Sequence, residues 1–177
     1  MSEIDLTKQC GESKTTQDQL GLVKSFIQKS AFSDAIKLCQ SLLTQPLIES
    51  DRIESLYFLC VAKRCENNIE EALDSVSTLL ALKPNHSRAL QERGYLYLAK
   101  KQLNNSLQAF HQATIENPAL VASWQQLIAL YNKAGQAQAA DVASTQLAYL
   151  KQLPPQLLGA SDLIYEGKLA IAEQVCR

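Results

Sequence analysis

Gly159 and Gly167-Lys168 are the nearest this 177-residue sequence comes to a phosphate-binding loop. Such a loop needs G-x-x-x-x-G-K-[S/T], so that backbone amides cradle the phosphates and the hydroxyl holds magnesium. Here the glycines are too far apart and Leu169 replaces the hydroxyl, so the motif is rejected. The five cysteines, Cys10, Cys39, Cys60, Cys65 and Cys176, are odd in number and contain no C-x2-C pair. That argues against a disulfide framework and, with His86 and His111 far from any cysteine pair, against a zinc site. Cys60 and Cys65, five apart on one helix, are rotated away from each other. Cys39 and Cys176 read as small core residues, and Cys10 as the most reactive thiol by exposure. His111 follows Phe110 and should face solvent, with no acid or nucleophile to set beside it. No catalytic residue, cofactor or metal is therefore expected. What remains is binding chemistry: tyrosines and arginines that combine contact area with a polar tip.

The elements that must position such residues repeat. Pro84 and Pro118 are 34 residues apart, and the segments before them match. Leu56-x2-Leu59-Cys60-x2-Lys63, Ala72-x3-Val76 and Pro84 form one unit. Leu90-x2-Arg93-Gly94-x2-Tyr97, Ser106-x3-Phe110 and Pro118 form the next, and Trp124-x2-Leu127-Ile128-x2-Tyr131 with Ala140 the one after. Ala72, Ser106 and Ala140 recur at intervals of 34; Ala35 precedes Ala72 by 37, and Ala172 follows Ala140 by 32. A fixed period of this size is the mark of a solenoid. Small residues are needed where the second helix of a pair approaches the first, and Cys60 and Gly94 fill the matching small site on first helices.

Helix limits follow from caps and breakers. Thr16-Gln17-Asp18-Gln19 reads as a capping box opening the first helix. Ser33 or Asp34, and Asn104 or Asn105, are candidate N-caps for second helices. Gly135 and Gly167 suit left-handed C-caps. Pro46 stops a helix and Pro155 sits in the first turn of another. The expected organisation is a disordered tail over 1–15 and repeats over 16–52, 53–86, 87–120 and 121–152. A partial repeat over 153–177 follows, with the apolar stripe Leu169, Ala172, Val175 and Cys176 left uncovered. Terminal repeats normally carry a polar outer face, so a longer parent chain, or self-association through this last helix, is expected.

The spacing W-x2-L-G-x2-Y…A-x3-F…P, carried best over residues 53–152, resembles the tetratricopeptide repeat family. Arg93, Lys63 and Ser144 depart from the family's apolar positions. The resemblance implies an all-α fold: a right-handed α-solenoid of antiparallel helix pairs, whose concave groove, lined by first helices, holds a protein or peptide segment. In that register the inward positions are Glu54, Tyr57, Val61 and Arg64; then Arg88, Gln91, Tyr95 and Leu98; then Gln125, Ala129 and Asn132. Some members grip a C-terminal carboxylate with Lys, Asn and Arg; Phe58, Glu92 and Gln126 stand at positions where those are needed, which disfavours that mode.

A narrower resemblance covers Leu150-Lys151-Gln152-Leu153-Pro154-Pro155-Gln156-Leu157-Leu158 and Glu166-Gly167-Lys168-Leu169-Ala170 through Arg177. It is similar to the repeat region preceding a sulfotransferase domain in bacterial proteins, and implies that the enzymatic part follows Arg177. Net charge is −1, from 17 basic and 18 acidic residues, without the basic excess of a nucleic-acid binder. No run of 18 apolar residues suits a membrane span, and the polar start lacks a secretory signal pattern. Both point to the cytosol. The expected role is a protein-interaction scaffold, with the sulfotransferase parent as the alternative.

Overall fold

A computed structural model describes residues 15–176. Most of the expected tail, Cys10 and Arg177 lie outside the described residues. These hold ten helices and no strand: α1 Thr16–Gln28, α2 Phe32–Leu43, α3 Glu49–Cys65, α4 Ile69–Leu82, α5 Ser87–Ala99, α6 Leu103–Glu116, α7 Val121–Lys133, α8 Ala137–Gln152, α9 Pro155–Tyr165 and α10 Leu169–Cys176. Consecutive helices pair as hairpins, and α3 also packs on α1 and on α5. The result is an all-α solenoid.

The turn inside each hairpin has one construction. Ser30, Asn67, Lys101, Gly135 and Gly167 all have positive φ, between 58° and 80°. The residue after each donates its N–H to the carbonyl five back: Ala31 to Phe26, Asn68 to Lys63, Gln102 to Tyr97, Gln136 to Tyr131 and Lys168 to Leu163. That bond closes the first helix and starts the second immediately. It explains two corrections to the expected caps. The second helices begin at Phe32 and Leu103 behind Ala31 and Gln102, so neither Ser33, Asp34, Asn104 nor Asn105 is an N-cap. At the start of α1 the capping box is Thr15 with Asp18, one residue earlier than expected: the Asp18 N–H donates to Thr15 Oγ1 at 3.2 Å, and the Thr15 N–H to Asp18 Oδ2 at 3.1 Å. A carboxylate can reach the Thr15 N–H from the third helical position, where the longer glutamine was anticipated.

The small residues of the repeat lie where helices meet. Ala35, Ala72, Ser106, Ala140 and Ala172 are all buried. At Gly94 an added Cβ would stand 2.8 Å from the Phe110 ring, and Ser106 Oγ donates to the Gly94 carbonyl at 2.8 Å. Larger side chains fill the gaps between hairpins. Leu20, Val23, Cys39, Leu42 and Leu59 form one cluster across α1, α2 and α3. Leu56, Cys60, Val76, Leu79, Leu90 and Leu96 form the next across α3, α4 and α5. Phe110, Leu127 and Leu130 form a third. Each such side chain contributes about 1.5–3 kcal/mol on burial.

Of the polar departures from the repeat, Lys63 is paired locally and Arg93 is not fully satisfied. Lys63, nearly buried, reaches Glu71 Oε2 and Ser75 Oγ at 3.3 Å each. The Arg93 Nε atom is buried without a hydrogen-bond partner. Cys39 is buried as expected, whereas Cys176 is exposed, because nothing among the described residues covers that side of α10. The fifth hairpin differs from the others. Helices α9 and α10 pack on each other, but α9 does not lie along α8 as α3 lies along α2 or α7 along α6.

Candidate functional site

The N-terminal ends of α3 and α5 face an open pocket of about 880 Å³, closed on one side by the end of α9 and the turn after it. Glu54, Tyr57 and Phe58 contribute from α3, His86 and Arg88 from the start of α5, and Leu163, Tyr165 and Glu166 from the fifth hairpin. The helical period explains the convergence: Glu54, Tyr57 and Phe58 are three and four apart, and so share one face.

His86 caps α5. Its Nδ1 accepts the Ala89 N–H at 3.1 Å, and its ring lies 5.7 Å from that of Tyr57. Burial, with Lys83 adding repulsion, lowers its pKa to about 4, so the imidazole is neutral at pH 7. An accepting Nδ1 fixes the proton on Nε2. Burial, reinforced by Glu92, pushes the Tyr57 phenol up to about 12, leaving it a neutral hydrogen-bonding tip on an apolar body.

Arg88 is the centre of charge. It forms ion pairs with Asp162 through Nη2 and with Glu166 through Nε. Burial alone would lower the pKa of the guanidinium; the two carboxylates outweigh it and the net shift is upward. Asp162 also accepts from Asn117 Nδ2 at 2.7 Å, and Glu166 pairs with Lys168 at 2.9 Å. Burial would raise Glu166, but Lys168 and Arg88 hold it below its ordinary value. The arrangement holds Asp162 between a guanidinium and a buried amide, and Glu166 between the same guanidinium and Lys168.

A second cluster lies further along α3 and α5. Arg64 Nε donates to Glu92 at 2.5 Å, and its guanidinium lies 5.2 Å from the centre of the Tyr95 ring. Burial would lower the Arg64 pKa, yet Glu92 raises it overall. Tyr95 meets Phe110 edge to face at 5.0 Å, and burial raises its phenol against the opposing pull of Gln91 and Arg64.

Of the residues expected in the groove, Glu54, Tyr57 and Arg88 share the pocket. Arg64, Gln91 and Tyr95 meet in the second cluster, where Gln91 is buried. Leu98 packs against the Phe110–Leu127 core, Val61 is half-buried, and Gln125, Ala129 and Asn132 are exposed on α7. Sequence reasoning missed Asp162, Glu166 and Asn117. The usable signal was a pair of acids one turn apart at the end of α9, Asp162 within it and Glu166 as its C-cap, a spacing that puts both on one face. Residues 150–176 form the end of α8, then α9 and α10.

No family model matches this sequence, and no curated protein matches it. Solved structures do. A crystal structure of MamA superimposes with a TM-score of 0.68 at 16% identity, over 80% of this chain and 81% of that one. A tetratricopeptide repeat protein from Parabacteroides merdae gives 0.67 at 17% identity, over 90% of this chain and 63% of that one. A thermophilic protein of the same repeat class from Thermus thermophilus gives 0.65 at 20% identity, over 91% and 88%. The chain has the tetratricopeptide-repeat fold. At these identities the likeness concerns architecture alone; the pocket opens between α3 and α5, the first helices of two hairpins. No helix among the described residues is long and apolar enough to cross a membrane.

Proposed function

We propose that this chain is a protein-interaction scaffold without catalysis of its own, taking a segment of a partner protein along α3 and α5. The observation that carries the reading is the pocket at the start of those helices, where Tyr57, Phe58 and Arg88 face an open volume beside Glu54. Aromatic rings and a guanidinium supply most of the affinity at protein interfaces, because each joins a large contact area to a directional polar group. Tyr57 and Arg88 also stand at inward positions of the repeat register that the family resemblance implies, which supports the same assignment. A reducing compartment such as the cytoplasm suits the chain, since Cys39 and Cys60 are buried free thiols.

The test compares partners recovered from the native source by the wild-type chain and by a Glu54→Ala/Tyr57→Ala variant of matched helicity. The variant is expected to lose the specific partners. Recovery of the same set by both would sink the groove assignment.

A further inference from the structure

Asp162 and Glu166 stand one helical turn apart at the end of α9, and both meet Arg88 of α5. Asn117, in the link between α6 and α7, is fully buried. Its Oδ1 is committed to the Ala119 N–H at 2.9 Å, which leaves its amide donor aimed at Asp162. The first four hairpins therefore build a carboxylate cradle from a guanidinium and a buried amide, and the fifth hairpin fills it. Charge-assisted bonds of this kind are among the strongest polar contacts a protein makes.

The fifth hairpin has little else to hold it. Ala160 and Ala172 are its only buried side chains among the described residues, while Leu157, Ile164, Tyr165, Leu169 and Ile171 are exposed. Leu153 and Pro154 join α8 to α9, and α9 does not pack along α8. Two lysines from other hairpins, Lys24 and Lys83, face the adjoining pocket.

We propose that this cradle is the docking point for a partner segment carrying two carboxylates one helical turn apart, and that α9–α10 is its resident competitor. The inference rests on the scaffold reading and names the chemistry of the partner. A partner gains access only in the fraction of molecules whose hairpin has left, so its apparent affinity is reduced by that fraction. Tyr57 and Phe58 would take an apolar side chain beside the two acids.

The full-length chain is titrated into a fluorescein-labelled peptide of residues 153–177, with fluorescence anisotropy as readout. Asp162→Asn/Glu166→Gln in the chain removes the resident carboxylates from the cradle while preserving helix shape. That chain is expected to bind the peptide at least about tenfold more tightly than wild type. The same peptide with both acids neutralised binds neither chain, and Arg88→Ala removes binding. Hydrogen exchange over 155–176 rises in the double variant and stays unchanged over 16–152. Equal affinity for both chains, retained binding of the neutralised peptide, or unchanged exchange over 155–176 would overturn the proposal. So would a doubled mass of the wild type in sedimentation that falls to monomer mass in the Asp162→Asn/Glu166→Gln variant, which assigns the hairpin to the cradle of another copy. The double variant keeps Arg88, so the test stands even where Arg88→Ala fails to fold. Loss of partners by the Glu54/Tyr57 variant, with these arms negative, removes the acidic partner alone and leaves the scaffold reading in place.

Discussion

Hairpins α5–α6 and α9–α10 follow one repeat plan and are held by different forces. Both turn through a residue of positive φ, Lys101 in one and Gly167 in the other, and both bury the small residue of the second helix, Ser106 and Ala172. Beyond that they part. The middle hairpin buries Leu90, Leu96, Ala109 and Phe110 and is covered on both sides. The last hairpin buries only alanines, and Arg88 reaches it through two ion pairs. Repeat register alone therefore shapes a hairpin without fixing it to its neighbours. Apolar area fixes the middle of the solenoid, and charge places its last hairpin.

The sharpest way to break this contrast is to remove apolar volume from each region. Phe110→Ala empties a fully buried site beside Tyr95 and should cost about 3–5 kcal/mol in chemical denaturation. Leu169→Ala, at a side chain 65% exposed on α10, should stay within about 0.5 kcal/mol. Equal losses would mean that both regions are held by burial. A double-mutant cycle sharpens the point. Gly94→Ala in the wild type sets a methyl group 2.8 Å from the Phe110 ring and should cost about 1–3 kcal/mol by overpacking. In the Phe110→Ala background that clash is gone, so the substitution should become neutral or favourable through its better helix propensity.

Acid separates the two regions by pH window. His86 caps α5 in its neutral form, with its folded pKa lowered from 6.5 to about 4 by burial and by Lys83. Lys168 also opposes its protonation, and Glu166 favours it. A group depressed in this way binds more protons when unfolded, so its contribution is fully present above pH 6.5 and is lost as pH falls toward 4. The loss should reach about 1–2 kcal/mol near pH 5, since the unfolded imidazole takes up a proton through that interval and the folded one does not. Glu166 is lowered from an ordinary 4.5, so its contribution begins to fail only in more acid solution. His86→Asn retains a side-chain acceptor for the Ala89 N–H and should flatten the stability profile between pH 6.5 and 5 while leaving the lower limb intact. Denaturant midpoints measured across that range check it; an unchanged upper limb would clear His86 of any part.

Most of the solenoid was legible because its determinants are local and periodic. Ala35, Ala72, Ser106, Ala140 and Ala172 sit at helix crossings, and steric contact excludes larger groups there wherever the chain leads next. The caps were less legible. Ser33, Asp34, Asn104 and Asn105 are good capping types, but the turn's own backbone bond begins the helix before them, and backbone hydrogen bonds leave no mark in side-chain identity. Glu54, Tyr57 and Arg88 could be placed on one face from the repeat register. Asp162 and Glu166 could not be joined to Arg88, because they are more than seventy residues distant and ion pairing has no periodicity to reveal it.

The turns give the finest version of the comparison, since all five share one geometry and differ in residue type. Ser30, Asn67 and Lys101 hold φ of 58°, 64° and 59°, where a β-carbon crowds the backbone; Gly135 and Gly167 hold 70° and 80° without that crowding. A left-handed residue other than glycine costs about 1–2 kcal/mol, less for asparagine, whose side chain supports the conformation locally. Lys101→Gly should therefore stabilise the chain by about 0.5–1 kcal/mol after the added entropy of unfolded glycine is subtracted. Asn67→Gly should give less than Lys101→Gly. Gly135→Ala should destabilise by about 1 kcal/mol, from backbone conformation alone, since nothing stands within 4 Å of an added Cβ. Gly167→Ala carries the same backbone cost into a hairpin with little burial, so it should raise amide exchange over 155–176 and barely move the global midpoint. A midpoint shift as large as that of Gly135→Ala would show that the last hairpin unfolds together with the rest.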